Sequence, residues 1–372
     1  MDTDSSDSQL DCSPTEIPVV DFAKWRPDGS AEERDSVANE LVSACKTVGF
    51  VYILNHGITP ERLTEAFAWS KRFFHLSLED KQKAPHPSGS SVHRGYSCPG
   101  LEKVSQATSD REDAELAKKL REVIDYKESY DMGSDENQMQ PNVWIPDEML
   151  PGFRKFMTQF YCDCFQVAKN ILRAITLGIG IDDQDYLLKF HSGYNNQLRL
   201  LRYPPIPAYL LEHAKYARMP SHTDWSTITF LFQDECGGLE VEDIHNKGQF
   251  IPATPMKDAI VMNVGDLLQR WSNDQLRSTP HRVTLPPLPD RYEGADRTVR
   301  ERFSIPFFVS PDPTSLIKCL PTCASEEKPA SYLPIIQSEY NRLRSMTHYQ
   351  STSTEAGSGQ DFSVSTTYYT TT

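Results

Sequence analysis

His222 and Asp224 stand on either side of one threonine, just ahead of the apolar run STITFLFQ. In an extended segment residues two apart project to the same side, so both side chains can reach a single ion. Taken alone the pair carries little, because a chain with ten histidines and 52 acidic residues holds a His-x-Asp by chance, and the same residues also suit a strand-end turn. His281, at the entrance of another strand-like run in STPHRVTL, changes the reading. Two imidazoles and one carboxylate on one face of a metal leave its other positions open. That donor set suits a non-haem Fe(II) that must also bind a co-substrate and O2. The plainer alternative for His281 is a hydrogen-bonded strand histidine.

The run RFSIPFF supplies an anion site. Arg302 and Ser304 alternate onto one face, a planar guanidinium fork matched to a carboxylate beside a further donor. An arginine turned inward is costly unless it meets an anion, and this run is otherwise too apolar for an exposed edge. Tyr203, at the end of QLRLLRYPP, is placed to donate another hydrogen bond to the same carboxylate. Arg199, in phase with Leu201 and Tyr203, projects either into that cavity or into a structural salt bridge. Phe308 continues the Arg302 face and is either a substrate-facing ring or core packing. Gly265-Asp266 reads as a turn of the fold, and His56 in NHG as structural.

These residues need a scaffold, and the periodicity outlines one. IPVVDF reads as a strand, residues 31–48 as an amphipathic helix closed by Gly49, FVYIL as a strand, and Pro60 as the opening of a second helix. Residues 84–100 read as loop. The charged stretch 103–140 reads as solvated, with a helix around Glu112 to Val123. From Phe153 to Ile175 apolar residues recur at helical spacing, predicting a long helix over 148–180 that packs under a sheet. Between Asn195 and Pro313 the period drops towards two. Seven strands are expected there: QLRLLRYP, STITFLFQ, GLEVEDI, QFIPATP, AIVMNVGDLLQRW, HRVTLP and RFSIPFFVS. A further helix is expected over Ser331 to Met346.

The fold class is therefore mainly β with flanking helices, around a double-stranded β-helix (jelly-roll) core. Residues 1–15 read as a disordered lead-in and 350–372 as a low-complexity, disordered tail. A single domain spans 16–349, with a mostly helical part over 16–194, the jelly roll over 195–312 and a C-terminal helical part over 313–349.

Composition narrows the function classes. At 38% hydrophobic residues the chain can bury a substantial core, and no apolar run approaches the roughly 20 residues of a membrane-spanning helix. A net charge of −14 without a Lys/Arg-rich run speaks against nucleic acid and anionic membrane as partners. None of the eight cysteines forms a CxxC pair, and Cys319 with Cys323 is only a weak metal-pair candidate. The acidic N-terminus is unlike a signal or transit peptide, so reduced thiols and a cytoplasmic location are expected.

With these residues in order, the chain resembles the 2-oxoglutarate/Fe(II)-dependent oxygenases of the isopenicillin N synthase-like branch. The resemblance runs through GFVYILNHGI, RFFHLSLEDK, RGY and KESYDMG to RYPP, SHTDWSTITFLFQD, GGLEV, VMNVGDLLQRWSND, STPHRV and RFSIPFF. It implies that His222, Asp224 and His281 hold the iron. It also implies that Arg302 and Ser304 anchor the distal carboxylate of 2-oxoglutarate with help from Tyr203, and that Phe308 stacks on substrate. The implied cofactor is Fe(II), with 2-oxoglutarate and O2 as co-substrates. The implied reaction is hydroxylation, desaturation or ring rearrangement of a small organic molecule. The HTDW…LFQ style is similar to fungal members acting in secondary metabolism. At Leu201 the chain departs from the many relatives that carry Asn, removing one polar contact near the co-substrate. Two other readings stay open: an iron oxidase of the same family that does not use 2-oxoglutarate, and a non-catalytic small-molecule binding protein on this fold.

Overall fold

The computed structural model describes residues 16–349 apart from 27, 88–91, 102–123 and 214–215. The expected lead-in, tail and Glu112 to Val123 helix lie outside the described residues.

In chain order the strands that build the site are β1 (Val19–Asp21), β2 (Phe50–Leu54), β3 (Gly95–Ser97), β4 (Glu128–Gly133), β5 (Gln197–Tyr203), β6 (Met219–His222), β7 (Ile228–Gln233), β8 (Leu239–Glu242), β9 (Phe250–Pro252), β10 (Ile260–Val264), β11 (His281–Val283) and β12 (Arg302–Val309). The helices that flank them are α1 (Ala31–Thr47), α2 (Pro60–Phe74), α3 (Phe153–Gly178) and α4 (Gln337–Tyr349). An eight-stranded major sheet runs β1-β2-β10-β7-β12-β5-β4-β3, and a four-stranded minor sheet runs β9-β8-β11-β6. Apart from the parallel β1–β2 pair, neighbours in both sheets are antiparallel. This is the expected jelly roll with flanking helices.

Period-two alternation sorts each strand between two cores. On β12, Phe303, Ile305, Phe307 and Val309 join the large apolar core under the helices, while Arg302, Ser304, Pro306 and Phe308 line a cavity on the opposite face. On β5, Leu198 and Leu200 take the helix side, and Arg199, Leu201 and Tyr203 the cavity side. A smaller core joins the sheets, with Tyr52, Leu201 and Val261 of the major sheet meeting Leu239, Val241 and Val283 of the minor one.

The helices start where the sequence signals them. Ser30 and Glu33 form a reciprocal capping box at α1, and Thr59 caps α2 with Pro60 in its first turn. Helix α3 buries its apolar stripe against the major sheet, where Phe160 meets Phe232 and Tyr161 meets Phe307.

Helix outweighs strand over residues 16–194, which nonetheless supply β1, β2, β3 and β4 to the major sheet. Three expectations need correction. The charged stretch 103–140 is not solvated throughout, because β4 within it is buried. Its charges are matched there: Glu128 pairs with Lys81 at 2.6 Å and Arg202 at 3.2 Å, and Asp131 with Arg199 at 2.6 Å. AIVMNVGDLLQRW is not one strand but β10 followed by a short helix, Asp266–Trp271. The last helix begins at Gln337 rather than near Ser331: Pro334 disfavours helical geometry in the preceding residue, and Ile335–Ile336 pair with Leu316–Ile317.

Gly265 is the turn between β10 and that short helix. A Cβ there would collide with the carbonyl oxygen of Ser226, immediately downstream of the His222–Asp224 segment. Gly265→Ala is expected to destabilise the fold by about 1–3 kcal/mol through this overpacking. Denaturant unfolding of the variant beside the wild type checks it.

Candidate active site

His222 ends β6 and His281 begins β11, and the two residues face each other directly across the minor sheet. Their ring centroids lie 4.4 Å apart. Asp224 sits where the chain leaves the minor sheet for β7 of the major one, and its Oδ1 is 3.9 Å from His222 Nε2 and 3.8 Å from His281 Nε2. The three ligand atoms lie within 4.8 Å of one another. Cys319 and Cys323 belong to no such group among the described residues.

The ring orientations suit a cation. His222 Nδ1 lies 2.8 Å from the Pro220 carbonyl oxygen and His281 Nδ1 lies 3.2 Å from that of Thr279. A carbonyl can only accept, so each Nδ1 carries the proton and each Nε2 presents its lone pair to the shared point. Burial, then the neighbouring His281, push His222 down to about 4, which keeps its imidazole neutral at ordinary pH. Burial alone would raise the Asp224 carboxyl. The two histidines and hydrogen bonds from Asn263 and Thr229 outweigh it and hold the group below the usual carboxylate range. Asn263 Nδ2 donates to Asp224 Oδ2 at 2.8 Å. Two neutral nitrogen donors and one carboxylate, all oriented from behind, fit Fe(II).

The Arg302 site lies on the opposite wall of the same cavity, whose volume is about 480 Å³. Arg302 is fully buried, and Ser304 and Tyr203 are each 1% exposed. Arg302 stands opposite Tyr203, and Ser304 opposite Leu201, in the β12–β5 register. The guanidinium donates to Ser304 Oγ at 3.1 Å and to Gln233 Oε1 at 3.4 Å, both neutral acceptors, and lies 4.9 Å from the centroid of the Tyr203 ring. Its Nε is buried without a hydrogen-bond partner. A desolvated cation whose hydrogen bonds go to neutral acceptors is stable where an anion joins it. The pocket therefore fits a carboxylate, and 2-oxoglutarate carries one at each end. Arg218, also buried, lies 5.8 Å from the same Tyr203 ring.

His222, Asp224, His281, Tyr203, Arg302, Ser304, Arg199, Phe308 and Leu201 all line this one cavity. Arg199 lines the cavity while its Nε and Nη2 grip Asp131 at 2.6 and 3.0 Å. His56 is buried against Phe232 and accepts the Ile58 N–H at 3.2 Å, so it is structural. Reading the sequence missed Asn263, Asp131, Gln233, Trp225 and the part of α4 that reaches the cavity. The alternation of β10, which places Asn263 on the same face as Val261, was the available signal for Asn263. Among the described residues no helix is long and apolar enough to cross a membrane.

Comparison with known proteins agrees along the length of the chain. Residues 17–147 match the N-terminal family model of the non-haem dioxygenases in morphine synthesis, and residues 194–311 match the 2OG-Fe(II) oxygenase superfamily. A 2-oxoglutarate-Fe(II) type oxidoreductase of Metarhizium rileyi is 37% identical over 336 residues, covering 90% of this chain and 91% of the relative. A proline hydroxylase of Petromyces alliaceus is 36% identical over 337 residues, covering 90% of this chain and 100% of the relative. Among solved structures, a full-length Neurospora crassa protein in complex with alpha-KG and thymine superposes with a TM-score of 0.79. It is 34% identical, with 91% of this chain and 99% of that one covered. The chain thus belongs to the 2OG-Fe(II) oxygenase superfamily and is a 2-oxoglutarate- and Fe(II)-dependent dioxygenase.

Proposed function

We propose that this dioxygenase hydroxylates a small organic molecule in secondary metabolism, with His222, Asp224 and His281 holding Fe(II) and Arg302, Ser304 and Tyr203 holding 2-oxoglutarate. The observation that carries the reading is the single cavity that has the triad on one wall and an anion-seeking arginine on the other. Bound together, the metal and 2-oxoglutarate supply the oxidising chemistry, with O2 consumed and succinate and CO2 released as an oxygen atom goes to the substrate.

The residues of the chain bind and orient. Pro220 and Thr279 fix the imidazole tautomers, Asn263 steadies Asp224, and the Arg302 fork sets the far end of the co-substrate. Arg199 and Phe308 form substrate wall. Because Asp131 neutralises Arg199, that wall offers hydrogen bonds more than net charge, which suits a substrate with polar groups and an apolar face. We place the enzyme in the cytoplasm, in keeping with seven free cysteines among the described residues.

Incubating the enzyme with Fe(II), 2-oxoglutarate, ascorbate and a metabolite extract of the source organism tests this. The expected result is succinate formed in step with a product one oxygen heavier, followed by mass spectrometry. Oxygen uptake with a modified product but no succinate would overturn the co-substrate assignment.

A further inference from the structure

The last helix, α4, meets the metal-bearing segments largely through Asp266, a residue outside the ligand set. The main-chain N–H of Asp266 donates to the Asp224 carbonyl oxygen at 2.7 Å. Its Oδ2 accepts from Thr223 Oγ1, the residue between two ligands, at 3.3 Å. Its Oδ1 accepts from Ser278 Oγ at 2.7 Å, next to Thr279, whose carbonyl orients His281. From α4, Tyr340 Oη donates to the same carboxylate at 3.1 Å and Arg344 Nη2 lies 3.2 Å from it. Arg344 also reaches Thr223 Oγ1 at 3.4 Å and lies 5.6 Å from the Trp225 ring centroid. Tyr340 and Arg344 are one helical turn apart, so both fall on one side of α4. Gln337, Ser338 and Asn341, from the same helix, line the cavity.

We propose that Asp266 is a positioning residue that ties α4 to both metal-bearing segments, so that the cavity wall and the metal site order as one unit. The inference rests on His222, Asp224 and His281 being the metal ligands. A carboxylate shared by three segments lowers the cost of ordering each one once the others are fixed, and such coupling is reciprocal. Metal binding then tightens α4, and loosening α4 weakens the metal. Substrate-facing residues on α4 are thereby presented in register with a loaded centre.

The test uses Mn(II) as a redox-stable probe with 2-oxoglutarate present, on the full chain. Two readouts are taken: Mn(II) affinity by titration, and amide hydrogen exchange of residues 337–349 with and without metal. In the wild type, Mn(II) is expected to slow exchange in α4. Arg344→Met, which removes no cavity-lining or ligand residue, is expected to weaken Mn(II) about fivefold or more and to abolish that slowing. Tyr340→Phe should do the same to a smaller degree. In an Asp266→Asn background, Arg344→Met should cost less than it does alone, because Arg344 acts in part through Asp266. Wild-type affinity and an unchanged exchange response in Arg344→Met and Tyr340→Phe would overturn the coupling, as would fully additive losses in the double variant. Mn(II) binding that survives His222→Ala undiminished would instead defeat the ligand assignment, and this inference with it.

Discussion

Replacing Asp224 by alanine is expected to end 2-oxoglutarate turnover and to strip the purified protein of most of its iron. Asp224 is the one anionic member of the triad, and its Oδ1 lies nearly equidistant from the two histidine Nε2 atoms. Removing it leaves two neutral imidazoles, which cannot balance a dication in a buried site, and strands the Asn263 amide that now donates to it. Loss of a residue that merely orients a ligand typically costs 10–100-fold in affinity, so loss of the ligand should exceed about 100-fold. The fold should survive, because the strands carrying the histidines pair through their backbones. Metal analysis beside a succinate assay decides the matter. Full iron occupancy in Asp224→Ala would remove Asp224 from the centre.

The second large effect is expected at Arg302. The fork already spends two donors on Ser304 and Gln233, and its buried Nε has no protein partner. Lysine keeps the charge but offers a point rather than a plane, and it loses the guanidinium contact over the Tyr203 ring. Losing one charge-assisted hydrogen bond costs about 1.5–3 kcal/mol, equivalent to about 10- to 150-fold in affinity. Arg302→Lys should therefore raise the 2-oxoglutarate KM within that range while iron content stays near wild type. The check is a 2-oxoglutarate titration that follows succinate, with metal analysis in parallel. Unchanged KM would move the anchor elsewhere.

Much of this site was legible because most of its residues sit on strands, whose alternation is a local property. Arg302, Ser304 and Phe308 share a face in any extended reading of RFSIPFF, and His222 with Asp224 does so across one residue. What stayed hidden depended on partners distant in the chain. Glu128 and Asp131 read as solvated charges because their partners Lys81, Arg202 and Arg199 lie 47, 74 and 68 residues away. The division of NVGDLLQRW into strand and helix turned on the close approach of Gly265 to Ser226, a contact that no periodicity encodes. Asp266 read as a turn residue for the same reason, since its contacts come from Thr223, Ser278, Tyr340 and Arg344 in three separate segments.

The two histidines belong to the minor sheet and Arg302 to the major one. Facing sheets in such a sandwich pack about 10 Å apart, a spacing set by the side chains between them. On the assignments above, the diacid is gripped at one end by metal on the first wall and at the other by guanidinium on the second, so the sandwich works as a calliper. The separation of the two walls would then set the length of diacid that reaches both grips. Residues that set the jaw width without touching the diacid, Val241 and Val261 of the inter-sheet core among them, thus take part in choosing it.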